Sequence, residues 1–270
     1  MILRMVLMFS CLASAGALRS AALGLLAMLF LSCAQAQTQA QPSADSMAQR
    51  MQACTTCHGA GATAQVGRTA NEAYFPRIAG KPAGYLYNQL LNFRDGRRHY
   101  GLMVGMVEHL SDAYLMEMAQ YFAQLDLPYP PPTVARPGTA PSVLLRGQAL
   151  AEQGDKARGI PACVACHGAA LMGVAPALQT AGSLANTNPS MPALLGLPRD
   201  YMAGQLGAWQ TGQRRAHAPD CMGRIAKLLT ASDVEALATW LAAQAVPAGA
   251  AAKSAVALPG PLPEACGGVR

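Results

Sequence analysis

The sequence lacks several patterns that would point to other classes of protein. It has no convincing run of alternating apolar and polar residues, the pattern of a half-buried β-strand. The apolar run at residues 21–31 is well short of the ~20 residues that span a bilayer. The 20 Lys and Arg side chains against 14 Asp and Glu give a net charge of only +6. These absences argue against a β-rich fold, a membrane-spanning anchor and a nucleic-acid-binding protein.

Residues 1–36 are predicted to be a signal peptide that directs export. Arg19 precedes the apolar run, and residues 34–36, Ala-Gln-Ala, match the small-x-small pattern of a signal peptidase site. We therefore expect the exported chain to begin near Gln37 and to be located in the periplasm. An uncleaved anchor and a lipoprotein acylated at Cys33 are the alternatives.

The exported part of the chain carries an uneven charge. Removal of Arg4 and Arg19 leaves 18 basic and 14 acidic side chains, a net charge of +4. Residues 37–127 contain 7 of each sign, whereas residues 128–270 contain 11 basic and 7 acidic side chains. The whole excess lies in the second half.

The two halves of the chain repeat the same plan. The sequence Cys-x-x-Cys-His-Gly occurs at residues 54–59 and again at 163–168, and each copy precedes a matching stretch, FPRIAGKPAGYLYNQLLNFRDGRR or MPALLGLPRDYMAGQLGAWQTGQRR. Equivalent pairs are His58 and His167, 109 residues apart, Pro76 and Pro192, 116 apart, and Met103 and Met222, 119 apart. The steadily growing offset indicates a tandem duplication with small insertions.

Proline-rich residues 128–142 separate the repeats and predict an extended, semi-rigid linker. It divides the chain into two domains, residues 37–127 and 143–246, followed by a flexible tail at 247–270. Within each domain the apolar positions have helical spacing. Examples are Leu115, Met118, Phe122 and Leu125 after Ser111, and Val234, Leu237, Ala238 and Leu241 after Thr230, where Asp233 completes a capping box. The predicted fold class is all-α.

The repeated Cys-x-x-Cys-His motif suits the covalent attachment of haem. Two thiols add across the vinyl groups, and the adjacent histidine ligates the iron. We therefore predict two covalently bound haem c groups, attached through Cys54, Cys57, Cys163 and Cys166 and ligated by His58 and His167. The alternatives are a thioredoxin-like redox pair, which requires a βαβ context, and a zinc site, which requires four ligands.

A methionine in each repeat is the candidate for the sixth iron position. Met103 and Met222 occupy equivalent places, and a thioether opposite histidine closes the iron and raises its reduction potential. Most methionines instead fill the core, and we expect this role for Met106, Met116 and Met118.

These motifs in this order, over about residues 45–245, resemble the dihaem cytochrome c-four family, which has two class I cytochrome c domains in one chain. The resemblance implies His58 with Met103, and His167 with Met222, as the axial ligands. It also implies that the carbonyls of Pro76 and Pro192 accept hydrogen bonds from the ligating imidazoles.

The resemblance further implies a periplasmic carrier of single electrons. It would connect a quinol-oxidising complex or a dehydrogenase with a terminal oxidase, in peripheral association with membrane complexes, and it would not be an enzyme. A dihaem peroxidase with one open iron is disfavoured because both repeats contain a methionine in register. A fixed electron-transfer subunit of a dehydrogenase complex is the other alternative.

Cys221 and Cys266 are the pair that remains outside the signal peptide and the motifs. We expect a disulfide that ties the tail over the methionine loop of the second repeat, a geometry that a Cα separation beyond about 7 Å would exclude. Because Cys221 directly precedes Met222, competition of its thiolate for the iron is the alternative.

Overall fold

The computed structural model describes residues 45–59, 75–174, 190–247 and 265–269 of the 270-residue chain. The predicted signal peptide lies outside these residues, as does the predicted tail apart from residues 247 and 265–269. Both Cys-x-x-Cys-His motifs lie in one compact unit that begins at Arg50. Over the described residues the chain is helical, and none of these helices is long and apolar enough to cross a membrane.

The helices follow the same order in both repeats. The first contains α1 (Met47–Arg50), α2 (Gln52–His58), α3 (Ala83–Arg94), α4 (Gly101–Val107) and α5 (Asp112–Gln124). The second contains α6 (Pro141–Glu152), α7 (Val164–His167), α8 (Arg199–Gln210), α9 (Cys221–Leu228) and α10 (Ala231–Ala242). Short 3-10 helices occupy Lys156–Arg158 and Gly267–Val269. Each repeat thus ends with the same three helices, as the duplicated sequence predicts.

In the first repeat, α3 packs against α4 and α5. The Ser111 hydroxyl caps α5 by accepting a hydrogen bond from the backbone N–H of Tyr114. The predicted apolar face of α5 is buried at Leu115, Met118 and Phe122. The expectation that Met106 fills the core is wrong, because this residue lies on α4 and is 49% exposed.

In the second repeat, α6 and α10 form the most extensive helix contact and α8 packs against α10. Gly147 permits the crossing, since a Cβ there would lie 2.3 Å from the carbonyl oxygen of Ala236. The predicted capping box is present: Thr230 Oγ1 accepts from the N–H of Asp233, and the Asp233 carboxylate accepts from the N–H of Thr230. Asp233 also binds the guanidinium groups of Arg146 and Arg158, which ties α6 and the first 3-10 helix to α10.

The linker between the repeats contacts both of them. Arg77 of the first repeat donates to the carbonyls of Leu127 and Pro128, and its guanidinium lies 4.0 Å from the centroid of the Tyr129 ring. That ring packs against the core of the second repeat, where a Cβ on Gly196 would approach it to 2.6 Å. The linker therefore helps to fix the two domains together, and helix α6 already begins within its predicted last residues, at Pro141.

Candidate haem sites

The first motif lies on α2 and in the residue after it. The side chains of Cys54, Cys57 and His58 are half-buried. Nδ1 of His58 is 2.9 Å from the carbonyl oxygen of Pro76. Because a carbonyl only accepts, this nitrogen carries the proton and Nε2 keeps its lone pair for a metal. Burial lowers the pKa of His58 and so favours the neutral, metal-binding form.

The second motif repeats this geometry in a more buried setting. His167 is 8% exposed, and its Nδ1 lies 2.9 Å from the carbonyl oxygen of Pro192. Burial again lowers the pKa of the imidazole. Both predicted proline carbonyls therefore orient their histidines in the same way.

The first cysteine of each motif lies in an environment that disfavours its thiolate form. Burial raises the pKa of Cys163 to about 11 and also raises the pKa of Cys54. Reactive dithiols of the thioredoxin type instead have lowered pKa values. The environment disfavours the thioredoxin-like alternative, and among the described residues no group of three or more Cys, His, Asp and Glu could hold a bare metal ion.

One cavity gathers the predicted groups of the second site. Cys163, Cys166, His167 and Met222 all line it, and its walls are mainly apolar side chains from α8, α9 and α10. The structure thus brings together the four second-site residues that lie 59 positions apart in the chain, from 163 to 222. For the first site it records the contact between His58 and Pro76, and it places Met103, half-buried, on α4.

Two duplicated arginines are buried where the repeats meet. Arg98 and Arg214 face each other in an antiparallel bridge, and their side chains bind Gln and Tyr side chains of both repeats. Each guanidinium covers an aromatic ring, Phe93 for Arg98 and Trp209 for Arg214. Among the described residues neither has a carboxylate partner. Arg98 recurs 116 positions later as Arg214, together with a Tyr and a Gln of each repeat, and this shared register is the sequence signal of the cluster.

The residues around the second cavity fit a haem. The macrocycle is a large apolar body with two carboxylates, and it requires apolar walls with hydrogen-bond donors at one edge. Trp209 lines the cavity, and its buried Nε1 has no hydrogen-bond partner among the residues that the structure describes. Arg214 adds a buried guanidinium to the same wall. The Trp209 donor fits a propionate, since a buried donor without an acceptor is otherwise costly. The Arg214 guanidinium, whose other hydrogen bonds go to neutral Gln and Tyr side chains, adds a positive charge that complements a propionate.

A disulfide joins Cys221 and Cys266, with a Cα separation of 5.6 Å. Cys221 begins α9 directly before Met222, and the N–H of Gly267 donates to the carbonyl of Pro219. The end of the chain is therefore attached to the segment that carries the second methionine. In this arrangement the sulfur of Cys221 is not available as an iron ligand.

Comparison with known proteins gives the family. No protein-family model matches the chain. The thiosulfate dehydrogenase electron acceptor of Thiomonas intermedia is 37% identical over 194 residues, which cover 71% of this chain and 78% of that protein. Cytochrome c4 of Pseudomonas aeruginosa is 31% identical over 190 residues, 70% of this chain and 82% of that protein. The chain belongs to the cytochrome c4 family.

A solved structure agrees with this assignment. Reduced cytochrome c4 of Pseudomonas stutzeri superposes with a TM-score of 0.54 at 26% identity, over 72% of this chain and 94% of that one. The family, the two class I cytochrome c domains and the two covalently bound haem c groups predicted from the sequence are confirmed. This cytochrome is a dihaem electron-transfer protein.

Proposed function

We propose that this cytochrome is a periplasmic carrier that accepts single electrons from a dehydrogenase and passes them to a terminal oxidase, without catalysing a reaction of its own. The similarity to a thiosulfate dehydrogenase electron acceptor supports a thiosulfate-oxidising dehydrogenase as the donor. The predicted export signal supports the periplasm as the compartment.

The residue roles that we propose follow the duplication. Cys54 and Cys57 attach the first haem, and Cys163 and Cys166 attach the second. His58 with Met103, and His167 with Met222, are the residues that would hold the two irons. When bound, each haem supplies a one-electron couple at its iron. The chain's own contribution is to orient each imidazole through a proline carbonyl, to keep it neutral by burial, and to exclude water with an apolar wall.

The observation that carries this proposal is the composition of the second cavity. It is lined by Cys163, Cys166, His167 and Met222. Met191 and Met202 also line it, but their counterparts in the first repeat are Phe75 and Leu86, whereas Met222 corresponds to Met103. With a histidine and a methionine of the same repeat holding the iron, no position would remain there for a substrate. This closure supports a carrier and disfavours a peroxidase.

The test is reduction by the proposed donor. The holoprotein, produced with haem attached, is mixed with catalytic amounts of a thiosulfate dehydrogenase and thiosulfate, and the visible absorbance of reduced haem is followed. We expect complete reduction of both haems, dependent on the enzyme. Absence of reduction, together with rapid reduction by a quinol-oxidising complex, would contradict the dehydrogenase as donor.

A further inference from the structure

A lysine of the first repeat lies in the wall of the second haem cavity. Lys81 is 6% exposed, and its Nζ donates to the carbonyl oxygen of Ala193 over 2.9 Å. It lines the cavity that also contains Cys163 and His167. The equivalent residue of the second repeat, 116 positions later, is Leu197. The first repeat therefore contributes a cation to the second site, and the second repeat has no equivalent cation at this position.

Lys81 is electrically close to the second histidine. Ala193, which accepts its hydrogen bond, follows Pro192, whose carbonyl orients His167. Lys81 and His167 also line the same cavity. The arginines Arg98 and Arg214 are present one in each repeat, whereas Lys81 has no charged counterpart in the second.

The charge of Lys81 is poorly compensated by protein groups. Among the described residues no carboxylate pairs with it, and the guanidinium of Arg77 adds a second cation nearby. Burial, with a contribution from Arg77, lowers the pKa of Lys81 to about 7. A buried charge of this kind acts over a longer range than one in water, because the surrounding dielectric constant is low.

A positive charge near a haem favours its reduced state, since reduction removes one positive charge from the iron. Net charge and burial are among the factors by which a protein sets the potential of such a centre. We propose that Lys81 of the first domain raises the reduction potential of the second haem, and that it thereby draws the electron across the domain interface. This inference rests on the assignment of one haem to each repeat.

The test compares the potentials of the two haems in the holoprotein at pH 6, where Lys81 is protonated. Lys81→Met removes the charge and keeps the length of the side chain, and Lys81→Arg keeps the charge. Lys156→Met is the matched control, because it removes a lysine charge from an exposed position of the second domain. Redox titration followed by NMR separates the two haems through the shifted methyl signals of their ligand methionines.

We expect Lys81→Met to shift the reduction equilibrium of the second haem about tenfold towards the oxidised state. For one electron this lowers its potential by about 59 mV. The first haem should shift less, and Lys81→Arg and Lys156→Met should leave the second haem near its parent value. The inference would be overturned if the potential of the second haem were unchanged in Lys81→Met, or if the potentials of both haems fell equally. It would also be overturned if Lys81→Arg lowered the potential of the second haem as much as Lys81→Met does. The redox titration of the parent protein tests the proposed function separately, because two redox-active haems give two one-electron steps whatever the variants show.

Discussion

The two methionine helices occupy equivalent places in the repeats and differ in what covers them. In α4, which carries Met103, Leu102 is 67% exposed and Met106 is 49% exposed. In α9, which carries Met222, the residue aligned with Leu102 is Cys221, which is buried and joined to Cys266. The residue before the methionine is thus exposed in one domain and attached to the chain terminus in the other, while Met103 and Met222 are both half-buried. The duplicated methionine keeps its burial, and the surroundings of its helix have diverged.

The largest effects are expected when the methionines themselves are changed. Met103→Ala and Met222→Ala should each open one iron, so that carbon monoxide changes half of the reduced haem spectrum, whereas the parent protein should not respond. The reason is that the thioether closes the sixth position. Visible spectra with and without carbon monoxide measure the result.

Met106→Ala is the matched control for this prediction, since it removes an exposed methionine from the same helix as Met103. It should leave the spectrum unresponsive to carbon monoxide. A response in the parent protein, equal to one haem, would show that a sixth position is already open and would favour the peroxidase alternative.

Local motifs were the part of the structure that the sequence predicted well. The capping box of Thr230 and Asp233, and the spacing of Cys163, Cys166 and His167, depend on residues close together in the chain, so short-range geometry decides them. The pairing of the repeats was not predictable in this way. Lys81 crosses to Ala193 over 112 residues, and no local pattern marks that contact.

The exposure of Met106 also depends on distant parts of the chain, which local sequence patterns do not predict. The expectation rested on the residue type, since most methionines lie in the core, yet Met106 is 49% exposed on α4. Its aligned residue in the second repeat, Ile225, packs against the core. Which face of a short helix is covered depends on neighbouring segments, and these differ between the repeats.

Removal of the disulfide should remove much of the difference between the two methionine helices. The double change Cys221→Ser with Cys266→Ser breaks a link between residues 45 positions apart. The free energy of unfolding of the second domain should fall by about 2 to 4 kcal/mol, the range typical of such links. Guanidinium unfolding monitored at the haem absorbance of each domain measures this change. An equal loss in both domains would contradict a local role of the disulfide.

Asp233 gives the second domain an acid sensitivity that the cap of the first domain lacks. Hydrogen bonds from Thr230, Arg158 and Arg146 hold the pKa of this buried carboxyl below its usual range, against the opposing effect of burial. A lowered pKa stabilises the fold at pH values above the ordinary carboxyl range, and this stabilisation is lost as the pH falls towards the folded-state pKa. Asp233→Asn should therefore destabilise the second domain at pH 7 by about 1.5 to 3 kcal/mol, the worth of a hydrogen bond to a charged group.

The measurement is the free energy of unfolding between pH 7 and pH 3. The parent second domain should lose stability across the acid part of this range, and Asp233→Asn should flatten that loss. Asp220→Asn is a suitable comparison, because Asp220 also caps a helix of this domain, through the N–H of Gly223, but has no arginine partner among the described residues. A parallel acid profile in parent and Asp233→Asn would contradict the assignment.

The smallest effect is expected at the cap of the first domain. Ser111 provides one hydroxyl acceptor at the start of α5, and no carboxylate reaches back to its N–H as Asp233 does to Thr230 in α10. Ser111→Ala should therefore cost about 1 kcal/mol, the typical worth of a single N-cap, at both neutral and acid pH. Thr230→Ala should cost more, because it also frees a partner of the buried Asp233 carboxylate. Guanidinium unfolding of both variants at pH 7 and pH 4 measures the loss of free energy of unfolding. Equal losses in Ser111→Ala and Thr230→Ala would mean that the additional hydrogen bonds at the start of α10 do not stabilise it.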